Sequence, residues 1–212
     1  MNAVEFIGQH TLVALELLAT AAFALSGVMA AMRKRLDIVG VCTCGFLAAF
    51  GGGTLRDLLI DRRPFFWVEH QSVLVGVLAL CVLSASALKQ RHVEWTHQSL
   101  QLPDALGLGL FSATGVHLSW MAGQPALVAI LMGTVTGAFG GVLRDLVCNE
   151  IPTLFRDHRP YAVCAFAGGI SYSAMSWLGW SDTAAVATCA LTTTGLRCLT
   201  LWQDWRLPAQ DH

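Results

Sequence analysis

The chain has 212 residues, of which 55% are hydrophobic and only 13% are charged, and its formal net charge is −1. Soluble globular domains carry about 25% charged residues, so this composition excludes a water-soluble globular enzyme. The net charge also excludes a nucleic-acid-binding protein, because there is no excess of Lys and Arg to neutralise phosphates.

Apolar runs along the chain predict seven transmembrane helices. A helix needs about 20 predominantly apolar residues to cross a hydrocarbon core of ~30 Å, and seven runs come close to this length. The sequence therefore predicts an all-α, polytopic membrane protein. In chain order, the runs cover residues 10–32, 36–60, 72–88, 103–121, 124–148, 161–180 and 183–202.

The basic residues between these runs predict the orientation of the chain. Cytoplasmic loops carry an excess of Lys and Arg. With seven crossings, only Arg62 and Arg63 fall on one side, and eight basic residues fall on the other. This distribution predicts an N-terminus outside and a C-terminus in the cytoplasm. The eight are Arg33, Lys34, Arg35, Lys89, Arg91, Arg156, Arg159 and Arg206.

A segment of the second run recurs in the fifth run at an offset of 88 residues. Residues 52–58 have the sequence GGTLRDL and residues 140–146 have the sequence GGVLRDL, and each arginine is followed eight positions later by a proline, Pro64 or Pro152. Two distant segments that match at one offset indicate a duplicated unit. The same offset pairs Glu16 with Asp104, Phe23 with Phe111, Ser26 with Thr114, Gly27 with Gly115 and Val28 with Val116.

The duplication predicts two three-helix units, at residues 10–90 and 103–180, followed by a seventh helix at residues 183–202. Because three crossings is an odd number, the second unit enters the membrane from the opposite side. The sequence thus predicts an inverted repeat, the arrangement of many transporters.

Each copy places a glycine cluster inside its second helix, and these clusters are candidate site residues. They are Gly51, Gly52 and Gly53 in the first copy and Gly140 and Gly141 in the second. Each glycine lowers helical preference by about 1 kcal/mol relative to alanine, so we expect a break in both helices that exposes backbone groups to a polar path. The alternative is that the glycines permit close packing of helices.

An Arg-Asp pair follows each cluster. Ionisable groups inside a membrane helix cost at least ~2.5–3.5 kcal/mol unless they are paired or hydrated, and they usually mark functional sites. Adjacent helical residues point about 100° apart, so we expect each arginine to pair elsewhere, and the pairs either line a polar path or lock the helices. The candidates are Arg56, Asp57, Arg144 and Asp145, with the repeat-matched hydroxyls of Ser26 and Thr114 as weaker pore candidates.

Three other charged residues are expected to reach water. Glu16 and Asp104 lie near span ends, where a solvated carboxylate is inexpensive, and Arg197 in the last run is expected to extend its charge to the membrane surface. No G-x-S-x-G, H-E-x-x-H or P-loop motif is present, and the seven cysteines are scattered. The sequence therefore predicts no enzyme activity, no cofactor, no disulfide framework and no bound metal beyond transient ions.

These features resemble one known family. Residues 51–57 with Pro64, and residues 140–145 with Pro152, are similar to the doubled motif of the prokaryotic branch of the trimeric intracellular cation (TRIC) channels, whose domain is also named a glycine transporter domain. The resemblance implies a homotrimer in a bacterial inner membrane, in contact with membrane lipids. It also implies one pore for K⁺ and Na⁺ in each protomer, bounded by glycine-broken second and fifth helices.

Three functions stay open at this point. The first is a passive monovalent cation channel, and the second is a secondary transporter of glycine or another small amino acid. The third is a non-conducting structural membrane protein. Animal members of the family hold an anionic lipid with basic residues near the fifth-helix glycines, whereas residues 133–139 contain none, so regulation by an inositol lipid is not expected.

Overall fold

A computed structural model describes residues 3–88, 97–156 and 159–206, with side chains described for residues 10–86, 99–155 and 159–206. All secondary structure in these segments is α-helical. Lys89 and Arg91, which contribute to the predicted orientation, lie outside the described residues, as does the side chain of Arg156. The helices are α1 (Ala3–Arg33), α2 (Ile38–Leu59), α3 (Phe66–Glu69), α4 (Gln71–Leu88), α5 (His97–Met121), α6 (Ala126–Val147), α7 (Thr153–Arg156), α8 (Ala162–Trp177) and α9 (Asp182–Trp202).

The long helices coincide with the predicted apolar runs. Four of them are long and apolar enough to cross a membrane, namely α1 from His10 onward, α2, α6 and α9, and α4 contains a shorter apolar helix, Gln71–Ser86. This confirms an all-helical membrane protein. The count of seven crossings stays a prediction, since α8 has only 16 residues and α5, although it has 25, is not among the helices apolar enough to be counted.

Apolar side chains cover the surface and charged side chains are buried, which is the reverse of their distribution in a soluble protein. The outer surface exposes large apolar side chains such as Leu83 (67%), Leu191 (74%) and Trp202 (84%), while Arg56 and Arg197 are almost completely buried. Apolar exterior groups need a hydrocarbon solvent, and buried charges need partners inside the helix bundle. The fold therefore places its ionisable chemistry in the interior of the bundle.

The predicted breaks at the glycine clusters are wrong, because α2 and α6 are continuous through them. The glycines instead permit a close approach of the two helices. A Cβ atom added at Gly52 would lie 2.1 Å from the carbonyl oxygen of Thr136, and one added at Gly140 would lie 2.4 Å from that of Ala48. Since both neighbours are backbone atoms, only glycine fits at these positions, and the close-packing alternative explains these two residues.

The contacts of this crossing are reciprocal. Thr136 and Ala48 are themselves 88 residues apart, so each copy's glycine contacts the equivalent carbonyl of the other copy. Moving along α2 from Ala48 to Gly52 corresponds to moving back along α6 from Gly140 to Thr136, and the two helices therefore run antiparallel where they cross. The equivalent rings of Phe23 and Phe111 stack nearby, with centroids 5.7 Å apart.

Candidate functional site

Arg56 is the centre of the first charged cluster, which consists of Glu16, Arg56, Asp57 and Arg62. Its guanidinium is fully buried. Its Nε donates to Asp57 Oδ1 at 2.9 Å, and its Nη2 lies 2.6 Å from Glu16 Oε1 on α1. Arg62, in the turn after α2, places Nη1 3.6 Å from both Glu16 Oε1 and Asp57 Oδ1.

Arg144 is the centre of the second charged cluster, which consists of Ser26, Asp104, Arg144, Asp145 and Thr153. Its Nε donates to Asp145 Oδ1 at 2.8 Å, and its Nη1 donates to both Asp104 on α5 and Ser26 on α1. Asp145 Oδ2 in turn accepts hydrogen bonds from the backbone N–H of Thr153 at 2.7 Å and from its hydroxyl at 2.9 Å. The arginine and the two carboxylates of each cluster are thus equivalent residues of the two copies.

The expectation that each arginine pairs elsewhere is confirmed, since Arg56 pairs with Glu16 on α1 and Arg144 pairs with Asp104 on α5. Each arginine also bonds the aspartate next to it in sequence, which was not expected, because the long guanidinium side chain can curl back across the ~100° that separates adjacent helical residues. The expectation for the two acids is wrong. Glu16 and Asp104 are not solvated, since only 3% and 4% of their surfaces are exposed. They are buried because each supplies the second carboxylate of a buried guanidinium. Their match at the 88-residue offset was the sequence signal for this role.

The other predicted site residues separate into three places. Gly53 and Gly141 lie against the guanidinium groups, where an added Cβ would be 3.9 Å from Arg56 Nη2 and 3.7 Å from Arg144 Nη2. Gly51 faces Leu143. Thr114 is buried and donates to the carbonyl of Phe111 at 3.3 Å, so its hydroxyl bonds its own helix, whereas the equivalent Ser26 bonds Arg144.

A cavity adjoins each cluster. The first, of about 230 Å³ including its opening, is lined by Glu16, Thr20 and Arg56 together with aromatic rings that include Trp67 and Phe111. The second, of about 340 Å³ including its opening, is lined by charged residues of the second cluster and by three further charged residues, Arg33, Glu150 and Arg197. The sequence did not single out Arg33 or Glu150 for such a role.

The clusters lie on opposite sides of the α2–α6 crossing. Arg56 follows Gly52 by one turn on α2, and Arg144 follows Gly140 by one turn on α6. Because the two helices are antiparallel at the crossing, these displacements point in opposite directions. The arrangement is two cavities, each beside one charged cluster, separated by a close helix–helix contact.

Comparison with known proteins identifies the family. The family model described as "Glycine transporter" matches residues 13–89 and again residues 101–177, so both ends of the two matches are 88 residues apart. The inner membrane protein YadS of Escherichia coli K12 is 37% identical over 161 residues, which cover 75% of this chain and 76% of that protein. The TRIC channel orthologue from Rhodobacter sphaeroides has a TM-score of 0.83 at 30% identity, covering 92% of this chain and 99% of that one.

The chain belongs to the TRIC family. A further prokaryotic TRIC channel, solved in 0.5 M KCl, has a TM-score of 0.84 at 26% identity over 94% of this chain and all of that one. These relatives are channels and membrane proteins rather than enzymes, as the sequence predicts for this chain. Within the segments that the structure describes, no group of three or more His, Cys, Asp or Glu residues could hold a metal ion.

Arg197 of this TRIC protein corrects another expectation. Its side chain does not extend to the membrane surface, since only 1% is exposed. Its Nη1 donates to the carbonyl oxygen of Pro160 at 3.1 Å, and its guanidinium lies over the ring of Tyr161, 4.8 Å from the centroid. Arg197 is held inside the bundle because this carbonyl and this ring replace the water it would otherwise need.

Glu150 links the ends of two helices beside the second cavity. Both of its carboxylate oxygens accept from Arg33 Nη2 at 2.7 Å, and Lys34 Nζ lies 2.7 Å from Oε1. Partial burial favours a raised pKa, but the hydrogen bonds and charges of Lys34 and Arg33 outweigh it and hold the pKa of Glu150 below its ordinary value. Because the pKa of Glu150 is lower in the folded state, the ionised carboxylate stabilises the fold at pH values above the unfolded pKa of ~4.3. This stabilisation is lost as the pH falls through the folded pKa.

We therefore expect Glu150→Gln to destabilise the protein in a pH-dependent way. At pH 7 the loss is about 1 kcal/mol, because the side chains are partly exposed to solvent screening. The difference from wild type should shrink steadily as the pH falls below ~4.3. The thermal midpoint of the purified protein measured across this pH range checks the result, with the exposed Glu69→Gln as control. A difference that is the same at every pH would contradict it.

Proposed function

We propose that this protein is a monovalent cation channel whose path passes both charged clusters within each protomer. The observation that carries the proposal is the pair of cavities, one beside each charged cluster, on opposite sides of the α2–α6 crossing. The solved relatives, described as TRIC cation channels, support it by their shared fold. Arg56, Asp57, Arg144, Asp145 and Ser26 line this path, and K⁺ and Na⁺ are its ions.

The carboxylates are the groups of the two clusters that favour cations over anions. In the second cluster two carboxylates, Asp104 and Asp145, face one guanidinium, that of Arg144, so these three groups have a net charge of −1. The other charged residues of the second cavity, Arg33, Glu150 and Arg197, bring its whole lining to a net charge of 0. In the first cluster two carboxylates face two arginines, of which Arg62 is only loosely held. A ring of carboxylates at a narrow, partly dehydrated passage attracts cations, while a buried arginine raises the barrier to their passage. In this proposal the arginines limit the rate of conduction, and the carboxylates make the path selective for cations.

The close contact between α2 and α6 lies at the centre of the proposed path and must be bypassed or separated when the channel opens. The backbones of α2 and α6 approach too closely for an ion to pass between them at Gly52 and Gly140. Conduction therefore needs either a separation of these helices or a movement of side chains beside them. The glycines act in this proposal as the contact surface of two continuous helices.

The membrane arrangement is part of the same proposal. The two units at residues 10–90 and 103–180 form an inverted repeat, and residues 183–202 form the unpaired seventh helix. The antiparallel crossing of the equivalent helices α2 and α6 supports inversion, and the two family matches support the boundaries. The protein sits as a homotrimer among the lipids of a bacterial inner membrane, with its N-terminus outside and its C-terminus in the cytoplasm.

A glycine transporter is the second candidate, and the name of the matching family, "Glycine transporter", favours it. Paired carboxylate and guanidinium groups such as Asp104 and Arg144 offer partners for the ammonium and carboxylate of an amino acid. Flux in sealed liposomes separates the two functions. We expect K⁺ flux that follows the gradient and no saturable uptake of labelled glycine in the same preparation. Saturable glycine uptake without K⁺ flux would replace the channel with the transporter.

A conservative variant tests the place of the second cluster in the path. Arg144→Lys keeps the positive charge but loses the planar set of donors that reaches Asp104, Asp145 and Ser26 together. We expect K⁺ flux per folded protein to change at least about threefold, since one lost charged hydrogen bond alters an equilibrium by that factor or more. Arg206→Lys, in the exposed segment after α9, is the matched control. Equal K⁺ flux in Arg144→Lys and Arg206→Lys would show that the second cluster does not line the path.

A further inference from the structure

One position of the duplicated motif carries opposite charges in the two copies. Arg62 and Glu150 are 88 residues apart. Each donates its backbone N–H to the carbonyl of the repeat aspartate, Arg62 to Asp57 at 2.8 Å and Glu150 to Asp145 at 2.9 Å. Their backbones are therefore equivalent, yet their side chains differ. Glu150 turns to Arg33 and Lys34, whereas Arg62 faces the carboxylates of the first cluster.

The first cluster also contains buried polar atoms that are left without hydrogen bonds. Thr20 lies one turn after Glu16 on α1, is 1% exposed and lines the first cavity. Its hydroxyl, Asp57 Oδ2 and Arg62 Nη1 find no hydrogen-bond partner among the described residues. In the second cluster, by contrast, both Asp145 oxygens accept hydrogen bonds. Buried polar atoms without protein partners mark a place for water or an ion.

We propose that the carboxylates of Glu16 and Asp57, with the hydroxyl of Thr20, form a binding site for a monovalent cation, and that the guanidinium of Arg62 is its displaceable, tethered occupant. Carboxylate and hydroxyl oxygens are the ligands that hard cations prefer. The displacement of Arg62 by a permeating ion rests on the proposed channel function. The existence of the site does not.

Arg62 is the arginine of this cluster that can leave. Arg56 is fully buried and hydrogen-bonded to Asp57. The side chain of Arg62 is 32% exposed, and its 3.6 Å contacts to the two carboxylates are ion pairs without hydrogen bonds. When Arg62 withdraws, two carboxylates face one guanidinium, and the remaining charge of −1 favours a cation. The same net charge is present in the second cluster, where the equivalent position is glutamate.

Cation-dependent stability tests the site directly. The thermal midpoint of the purified protein is measured against KCl, and against N-methyl-D-glucamine chloride at equal ionic strength to remove general salt effects. In Arg62→Gln, we expect the K⁺-specific rise to be half-complete at about a fivefold lower K⁺ concentration than in wild type, since a hydrated unit charge ~4 Å away changes cation binding by about that factor. Arg63→Gln removes the same charge from the neighbouring exposed residue and should behave as wild type.

Two outcomes overturn the site. One is an identical K⁺ response in Arg62→Gln and Arg63→Gln. The other is a K⁺ response of Arg62→Gln that persists when Glu16→Gln is added, because the proposed ligand has then been removed. Loss of the response in the double variant supports the site and excludes a general effect of charge.

Flux in liposomes then tests the displacement. If the wild type conducts K⁺, we expect the flux through Arg62→Gln to saturate at about a fivefold lower K⁺ concentration than through Arg63→Gln. Equal saturation in the two variants would overturn the role of Arg62 in permeation. Absence of K⁺ flux in the wild type would overturn the proposed channel instead, and the stability measurements would still decide whether the cation site exists.

Discussion

Gly52→Ala is expected to destabilise the protein severely. The new methyl group would lie 2.1 Å from the carbonyl oxygen of Thr136, and a backbone atom cannot move aside as a flexible side chain can. Overpacking typically costs about 1–3 kcal/mol and more where the neighbours are rigid, so we expect a loss of about 3 kcal/mol. For a chain of this size that corresponds to a decrease of about 6–12 °C in the thermal midpoint, measured in detergent.

Gly76→Ala is the matched control for this substitution. Gly76 lies within α4, and no described atom comes within 4 Å of a Cβ added there. The same chemical change should leave the thermal midpoint unchanged or raise it slightly, because alanine favours a helix over glycine by up to about 1 kcal/mol. Gly140→Ala, which meets the carbonyl of Ala48 at 2.4 Å, should behave like Gly52→Ala. Wild-type stability in both crossing variants would show that α2 and α6 separate at little cost.

The sequence predicted the long helices and the central residues of the two charged clusters better than it predicted the geometry of those clusters. Length and apolar composition sufficed for the long helices, and the 88-residue offset sufficed to select Arg56, Asp57, Arg144 and Asp145. The expected helix breaks failed because the intrinsic preference of glycine is a local property, worth about 1 kcal/mol per residue. Tertiary packing outweighs it at Gly52 and Gly140, where the absence of a side chain lets two backbones meet.

Which charged side chains form ion pairs depends on distances in the folded chain, and the amino-acid sequence does not contain these distances. The helical angle between Arg56 and Asp57 argued against a direct contact, but the length of the arginine side chain overcomes that angle. Glu16 lies 40 residues before Arg56, and Asp104 lies 40 residues before Arg144. This equal spacing is visible in the sequence, but its meaning depends on how α1 packs on α2 and α5 on α6. The charge difference between Arg62 and Glu150 is equally visible and gains its meaning only from the structure.

Arg144→Leu is expected to be the most damaging single change among the charged residues. It leaves the carboxylates of Asp104 and Asp145 buried without their guanidinium, and the loss of one member of a buried ion pair costs about 3–5 kcal/mol. The thermal midpoint and the yield of folded protein measure the effect. Arg206→Leu, whose side chain is 64% exposed in its pair with Asp204, should change stability by no more than about 0.5 kcal/mol.

A second substitution separates loss of charge balance from loss of packing. Adding Asp104→Asn to Arg144→Leu removes one of the two unpaired charges, so we expect the double variant to recover at least about 1 kcal/mol relative to Arg144→Leu. If the cost arose only from the missing packing of the arginine side chain, the second substitution would recover nothing. Additive losses in the two variants would therefore contradict the ionic role of Arg144.

The equivalent change in the first cluster should cost less. Arg56→Leu also leaves two buried carboxylates, but Arg62 already lies 3.6 Å from both and can move closer to them. At the equivalent position the second cluster has Glu150, which would add a negative charge. The two other arginines that line the second cavity already have partners, Arg33 in Glu150 and Arg197 in the carbonyl of Pro160. We therefore expect Arg56→Leu to be less destabilising than Arg144→Leu. When Arg62→Gln is added to Arg56→Leu, we expect the loss of stability to become as large as that of Arg144→Leu. Equal losses in Arg56→Leu and Arg144→Leu would mean that Arg62 does not compensate charge in the first cluster.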